Sequence, residues 1–96
     1  VTEAELEDHI RRACAGLGIL RFHIPDARGM SRGMPDDLLI GRHGILWREC
    51  KSFRGRLTSE QRKVGYALQA LGQDWDWWTP ADWLSGRIEQ ELEAIR

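Results

Sequence analysis

The feature that most constrains this chain is a pair of β-like runs, Asp37 to Ile40 and Ile45 to Lys51, separated only by Gly41-Arg42-His43-Gly44. Such a short, glycine-flanked segment suits a tight turn, so the two runs are expected to close into an antiparallel hairpin. With Arg42 and His43 at the tip, Gly41 faces Gly44, Ile40 faces Ile45 and Leu38 faces Trp47. Counting back puts Asp36 opposite Glu49, while Asp37 meets Arg48 on the other face. A one-residue change in the turn would shift every pairing, so this register carries the rest of the reading.

Alternate residues of a strand share a face, which groups Ile45, Trp47, Glu49 and Lys51 and sends Arg48 and Cys50 the other way. Directly paired residues hold their Cβ atoms about 4.5 to 5.5 Å apart, close enough for the Asp36 and Glu49 carboxylates to share one hard cation. Two such carboxylates resist ionising together unless a cation neutralises them, and oxygen ligands suit Mg²⁺, with Mn²⁺ as a substitute. A metal there can polarise a phosphate oxygen and acidify a bound water, while Lys51 orients that water or stabilises developing charge. The expected reaction is phosphodiester hydrolysis.

The remaining elements follow from caps and periodicity. Thr2 and Glu5 form a T-x-x-E capping box ahead of Leu6, Ile10, Cys14 and Leu17, predicting a helix from about Glu3 to Leu17 that stops near Gly16 or Gly18. Ile19 to His23 reads as a short strand, and Ile24 to Met34 as a loop rich in Gly, Pro, Arg and Ser. Thr58-Ser59-Glu60-Gln61 starts a second helix, with Val64, Leu68 and Leu71 on one face and Gly72 as its stop. Trp75 to Trp78 reads as a strand, and Pro80 opens a final helical region containing Trp83, Leu84, Ile88, Leu92 and Ile95. The order α-β-β-β-α-β-α predicts an α/β fold, a small mixed β-sheet flanked by helices, as a single domain over residues 1–96.

Ninety-six residues bury a modest core, which a partner subunit would extend. No apolar run approaches the roughly 18 residues of a membrane span, and the acidic Val1 to Ile10 stretch is unlike a signal peptide, so a cytoplasmic protein is expected. Cys14, Cys50 and the three histidines lack zinc-ligand spacing, and both thiols read as small core residues. From Arg21 to Lys63 there are ten Lys/Arg against five Asp/Glu, although the whole chain carries a net charge of -1. A basic middle on an acidic frame suits a polyanionic ligand. Four of the five tryptophans fall between Trp75 and Trp83, where core packing or a subunit interface outweighs base stacking as the expected use.

Gly33-Met34-Pro35-Asp36, followed thirteen residues later by Glu49-Cys50-Lys51, resembles the PD-(D/E)xK nuclease signature. Gly55-Arg56-Leu57-Thr58-Ser59-Glu60-Gln61 extends the resemblance in the manner of the VRR-NUC family, over roughly His23 to Trp83. A lone E-x-K is common on strands, whereas G-x-P-D, a β-turn, E-x-K and G-R-L-x-x-x-Q in that order form a specific combination. The resemblance implies a restriction-endonuclease-like core in which Asp36 and Glu49 bind metal, the Cys50 carbonyl adds a ligand and Lys51 is the catalytic lysine. It also implies that Gln61 approaches the site from the start of its helix and that an acid of the first helix completes the pocket. Glu3 is the first choice for that acid and Glu7 the second. Asp37 stands where such proteins often carry an apolar residue, so Asp36 and Asp37 both stay open as the coordinating aspartate.

Arg28, Arg32, Arg54 and Arg56 flank the expected site on two glycine-containing loops, where they can contact phosphates without reading sequence. His23 either touches a scissile phosphate or caps the core edge. For stand-alone phage or bacterial members, the resemblance implies a homodimer cutting branched DNA such as Holliday junctions. The alternatives are a flap, end or duplex nuclease of the same fold and a catalytically silent DNA-binding or assembly module. A Ser-His-Asp hydrolase is disfavoured because the chain has no G-x-S-x-G elbow.

Overall fold

The hairpin closes in the register that its turn dictates. In a computed structural model describing residues 1–25 and 32–96, β2 (Asp37–Gly41) and β3 (Gly44–Cys50) pair antiparallel, with Gly41 facing Gly44, Leu38 facing Trp47 and Asp37 facing Arg48. β1 (Leu20–His23) adds antiparallel to β2, and β4 (Asp74–Trp78) runs parallel to β3. The result is a four-stranded mixed sheet in the order β1-β2-β3-β4.

Helices cover both faces unequally. On one side, α1 (Glu3–Leu17) and α4 (Arg87–Ile95) bury Leu6, Ile10, Cys14, Ile88, Leu92 and Ile95 against Leu39, Leu46, Cys50 and Trp78. On the other, α2 (Ser59–Ala70) lies over β4 so closely that a Cβ on Gly65 would meet the Trp75 ring at 2.2 Å. The β1 side of that second face keeps Leu20, Phe22 and Ile45 exposed.

Both capping boxes form. Thr2 and Glu5 close the start of α1, Thr58 and Gln61 that of α2, and Gly18 ends α1 in the left-handed region at φ 70°. The final helical region differs from expectation in being two helices, α3 (Pro80–Leu84) and α4, giving α-β-β-β-α-β-α-α. Gly86, at φ 84°, breaks the run between them. Among the described residues, no helix is long and apolar enough to cross a membrane.

The buried face of β3 is polar at one point. Arg48, 2% exposed, bonds Glu91 at 2.7 Å and lies over the Trp78 ring at 5.2 Å. Burial would raise the Glu91 carboxyl, but hydrogen bonds from Arg48, Trp78 and Arg87 outweigh it and hold the group below its ordinary range.

Candidate metal centre

Asp36 lies one residue before β2, at the end of the sheet, where ladder hydrogen bonds run out. Its Oδ2 accepts the backbone N–H of Cys50 at 2.9 Å, which fastens the aspartate to the end of β3. Continuing the β2–β3 register by one residue sets Asp36 opposite Glu49. Lys51 stays extended beyond β3 because its N–H donates to the Trp78 carbonyl at 2.9 Å.

Glu49 is 4% exposed. Its Oε2 lies 3.6 Å from Lys51 Nζ, and its buried Oε1 has no hydrogen-bond partner among the described residues. Burial first, and then the neighbouring Asp36 carboxylate, push Glu49 up to about 8, with Lys51 opposing. An orphaned buried carboxylate oxygen next to a second carboxylate is costly without a cation, so the donor set fits a divalent ion.

Behind this pair, on the α1 side, lies a second acidic group. Asp37 is fully buried, with Arg21 Nη2 at 2.9 Å, His23 Nδ1 at 3.3 Å and the Cys50 thiol at 3.7 Å. Arg21 also holds Glu7, whose carboxyl burial and the Asp37 charge push up to about 7 against the pull of Arg21. Potential ligand atoms of Glu7, Asp36 and Cys50 lie within 4.8 Å of one another, as do those of Glu7, His23 and Asp37. Glu7 therefore connects the two groups.

The candidates at the two open choices occupy different surroundings, and Gln61 and Cys50 make contacts other than those expected. Asp36 stands beside Glu49, whereas Asp37 is occupied by Arg21, His23 and the Cys50 thiol in the core. Of the two helix-one acids, Glu7 has its carboxylate within 4.8 Å of Asp36. Glu3, the first expectation, is exposed in the opening turn of α1. Gln61 was expected to approach the metal site, but its side-chain oxygen accepts the Thr58 N–H at 2.8 Å. The capping box takes up that oxygen because it satisfies an otherwise orphaned donor at the start of α2.

Cys50, expected to act through its carbonyl, engages Asp36 through its N–H and Asp37 through its thiol. His23 is half exposed and bonded to Asp37. Arg32, Arg54 and Arg56 are exposed, and Arg28 lies outside the described residues. Two arginines of the basic middle segment, Arg21 and Arg48, are consumed by internal ion pairs. Arg21 carried no motif. Its only sequence signal was sharing a strand face with His23 at the alternation of β1.

Gly33 ties the two halves of the motif together. At φ +86°, it packs so that a Cβ would meet the Glu60 carbonyl oxygen at 2.5 Å. The segment leading to Asp36 thus leans on the first turn of α2.

Compared with protein-family models, curated proteins and solved structures, the chain matches none.

Proposed function

We propose that this protein is a Mg²⁺-dependent endodeoxyribonuclease with a restriction-endonuclease-like core, hydrolysing phosphodiester bonds in branched DNA as a homodimer. The observation that carries the reading is the buried Glu49 carboxylate, with Oε1 unpartnered among the described residues, set beside Asp36 and Lys51. Asp36 and Glu49 would hold the cation, while Glu7 lies within 4.8 Å of Asp36 in a group with Cys50 that does not include Glu49. A divalent ion so held supplies Lewis-acid polarisation of a phosphate oxygen and a bound water of lowered pKa.

The protein's own groups do the rest. Lys51, half-buried beside Glu49, presents an ammonium that stabilises charge developing on the phosphate. Cys50 fixes Asp36 through its N–H, so the carboxylate pair is set before substrate arrives. Exposed Arg32, Arg54 and Arg56 supply phosphate contacts around it. The homodimer is supported by the exposed apolar row Leu20, Phe22 and Ile45 on the sheet face beside α2.

The test is cleavage of a four-way junction, a flap and a linear duplex by purified protein in Mg²⁺ and in EDTA, with light scattering for the oligomer. Junction cleavage by a dimer, abolished by EDTA, supports the reading. Preference for linear duplex would remove the branched substrate, and no cleavage with any divalent metal would leave a DNA-binding module.

A further inference from the structure

On the same sheet face as Glu49, a groove of about 350 Å³ is lined by Gly55, Arg56, Leu57, Arg62, Tyr66 and Trp77. Two of its lining residues neighbour Glu49 and Lys51. Trp77 is the direct neighbour of Glu49 across the β3–β4 ladder, and a Cβ on Gly55 would lie 3.0 Å from the Cβ of Lys51.

The groove combines exposed aromatic surface with positive charge. Trp77 is 40% and Tyr66 59% exposed, although large aromatic rings are usually withdrawn from water. Both rest on Trp75, which is buried beneath Gly65. Its ring centroid lies 6.0 Å from that of Trp77 and 6.1 Å from that of Tyr66, the latter edge-on. Rings backed in this way lose little freedom when a flat ligand stacks on them. Arg56 and Arg62 add guanidinium donors, and among the described residues no carboxylate lines the groove. Bases within a duplex keep their faces covered by their neighbours, so exposed rings beside arginines match a base that has left the stack.

We propose that this groove binds an unpaired nucleotide of single-stranded DNA, its base stacked on Trp77 and its phosphate held by Arg56 and Arg62. Its place as a substrate subsite next to the cleaved bond rests on the nuclease reading above, whereas its affinity for single strands does not. DNA in which a duplex opens into a single strand then meets both the groove and the metal centre.

The experiment is fluorescence anisotropy of a short labelled oligo(dT), and of a duplex of the same length, in EDTA at low salt. Wild type should bind oligo(dT) more tightly than duplex. Trp77→Ala should weaken oligo(dT) binding by about tenfold and erase that preference, with Trp77→Phe keeping most of it. Arg62→Ala should reduce the salt dependence by about one phosphate contact. Thermal melts of the variants establish that they fold. Oligo(dT) affinity unchanged in folded Trp77→Ala overturns the proposal. If wild type cleaves nothing in Mg²⁺ but the Trp77 effect is present, the groove stands and the nuclease reading falls.

Discussion

Asp36 is held opposite Glu49 by the backbone rather than by another side chain: its carboxylate accepts the Cys50 N–H, the peptide that follows Glu49. The same group therefore has a structural task beside the chemical one we propose, and substitutions should separate them. Asp36→Asn keeps an acceptor for Cys50 and should melt near wild type. Asp36→Ala should lose about 1 kcal/mol of stability. Under the proposed function both should lose Mg²⁺ binding by calorimetry and at least about a hundredfold in cleavage rate, since each removes a proposed metal ligand. Wild-type metal affinity in Asp36→Asn would exclude Asp36 as a ligand.

Gly33→Ala tests the link between the aspartate segment and α2. The added methyl meets the Glu60 carbonyl at 2.5 Å and sits on a residue at φ +86°, so a loss of about 1 to 3 kcal/mol is expected in denaturant melts. Cleavage should fall too, because the strain is relieved by moving the residues that lead to Asp36. Stability within error of wild type would mean that the contact is loose.

The carboxyls make metal-free stability depend on pH. Glu49 is raised from 4.5 to about 8 and Glu7 from 4.5 to about 7, so the stability linked to their protonation is present in full below about pH 4.5. It is lost as pH rises through about 7 to 8. In EDTA, the melting temperature should fall by more than about ten degrees between pH 5.5 and 8.5, at about 1.4 kcal/mol per pH unit for each raised carboxyl and about 4 to 8 °C per kcal/mol for a domain of this size. Mg²⁺ should restore more at pH 8.5 than at pH 5.5 by binding the ionised pair. Glu49→Gln should flatten most of the decline, and a decline as steep as wild type in that variant would assign the titration elsewhere.

Arg48 should behave as a core residue, despite lying next to Glu49 in sequence. Arg48→Ala strips Glu91 of its buried partner and uncovers the Trp78 ring, a loss of about 3 kcal/mol or more. Arg48→Met also removes the partner of Glu91 but fills similar volume, so it should lose less than Arg48→Ala. Equal loss in the two variants would show that charge pairing, rather than packing, dominates there.

Much of this arrangement was legible in local chemistry. Gly41-Arg42-His43-Gly44 set the hairpin register, and with it the placement of Asp36, because a two-residue turn leaves one pairing. The capping boxes and Gly18 marked helix ends for the same local reason. The residues whose surroundings differ from expectation depend on competition or distance. Gln61 served its own helix start, a role visible in the same four residues that hinted at a site. The choice between Glu3 and Glu7 turned on how α1 lies across the sheet, and periodicity carries no information on that angle. Arg21 became visible only when β1 brought it to Asp37 and Glu7.

The most direct test of the central claim is single-turnover cleavage of a branched DNA in Mg²⁺ by wild type, Glu49→Gln and Lys51→Ala, each first shown to be folded. The proposed metal centre predicts cleavage by wild type alone, with both variants slowed at least about a hundredfold and wild type silenced by EDTA. Cleavage at the wild-type rate by either folded variant would contradict it.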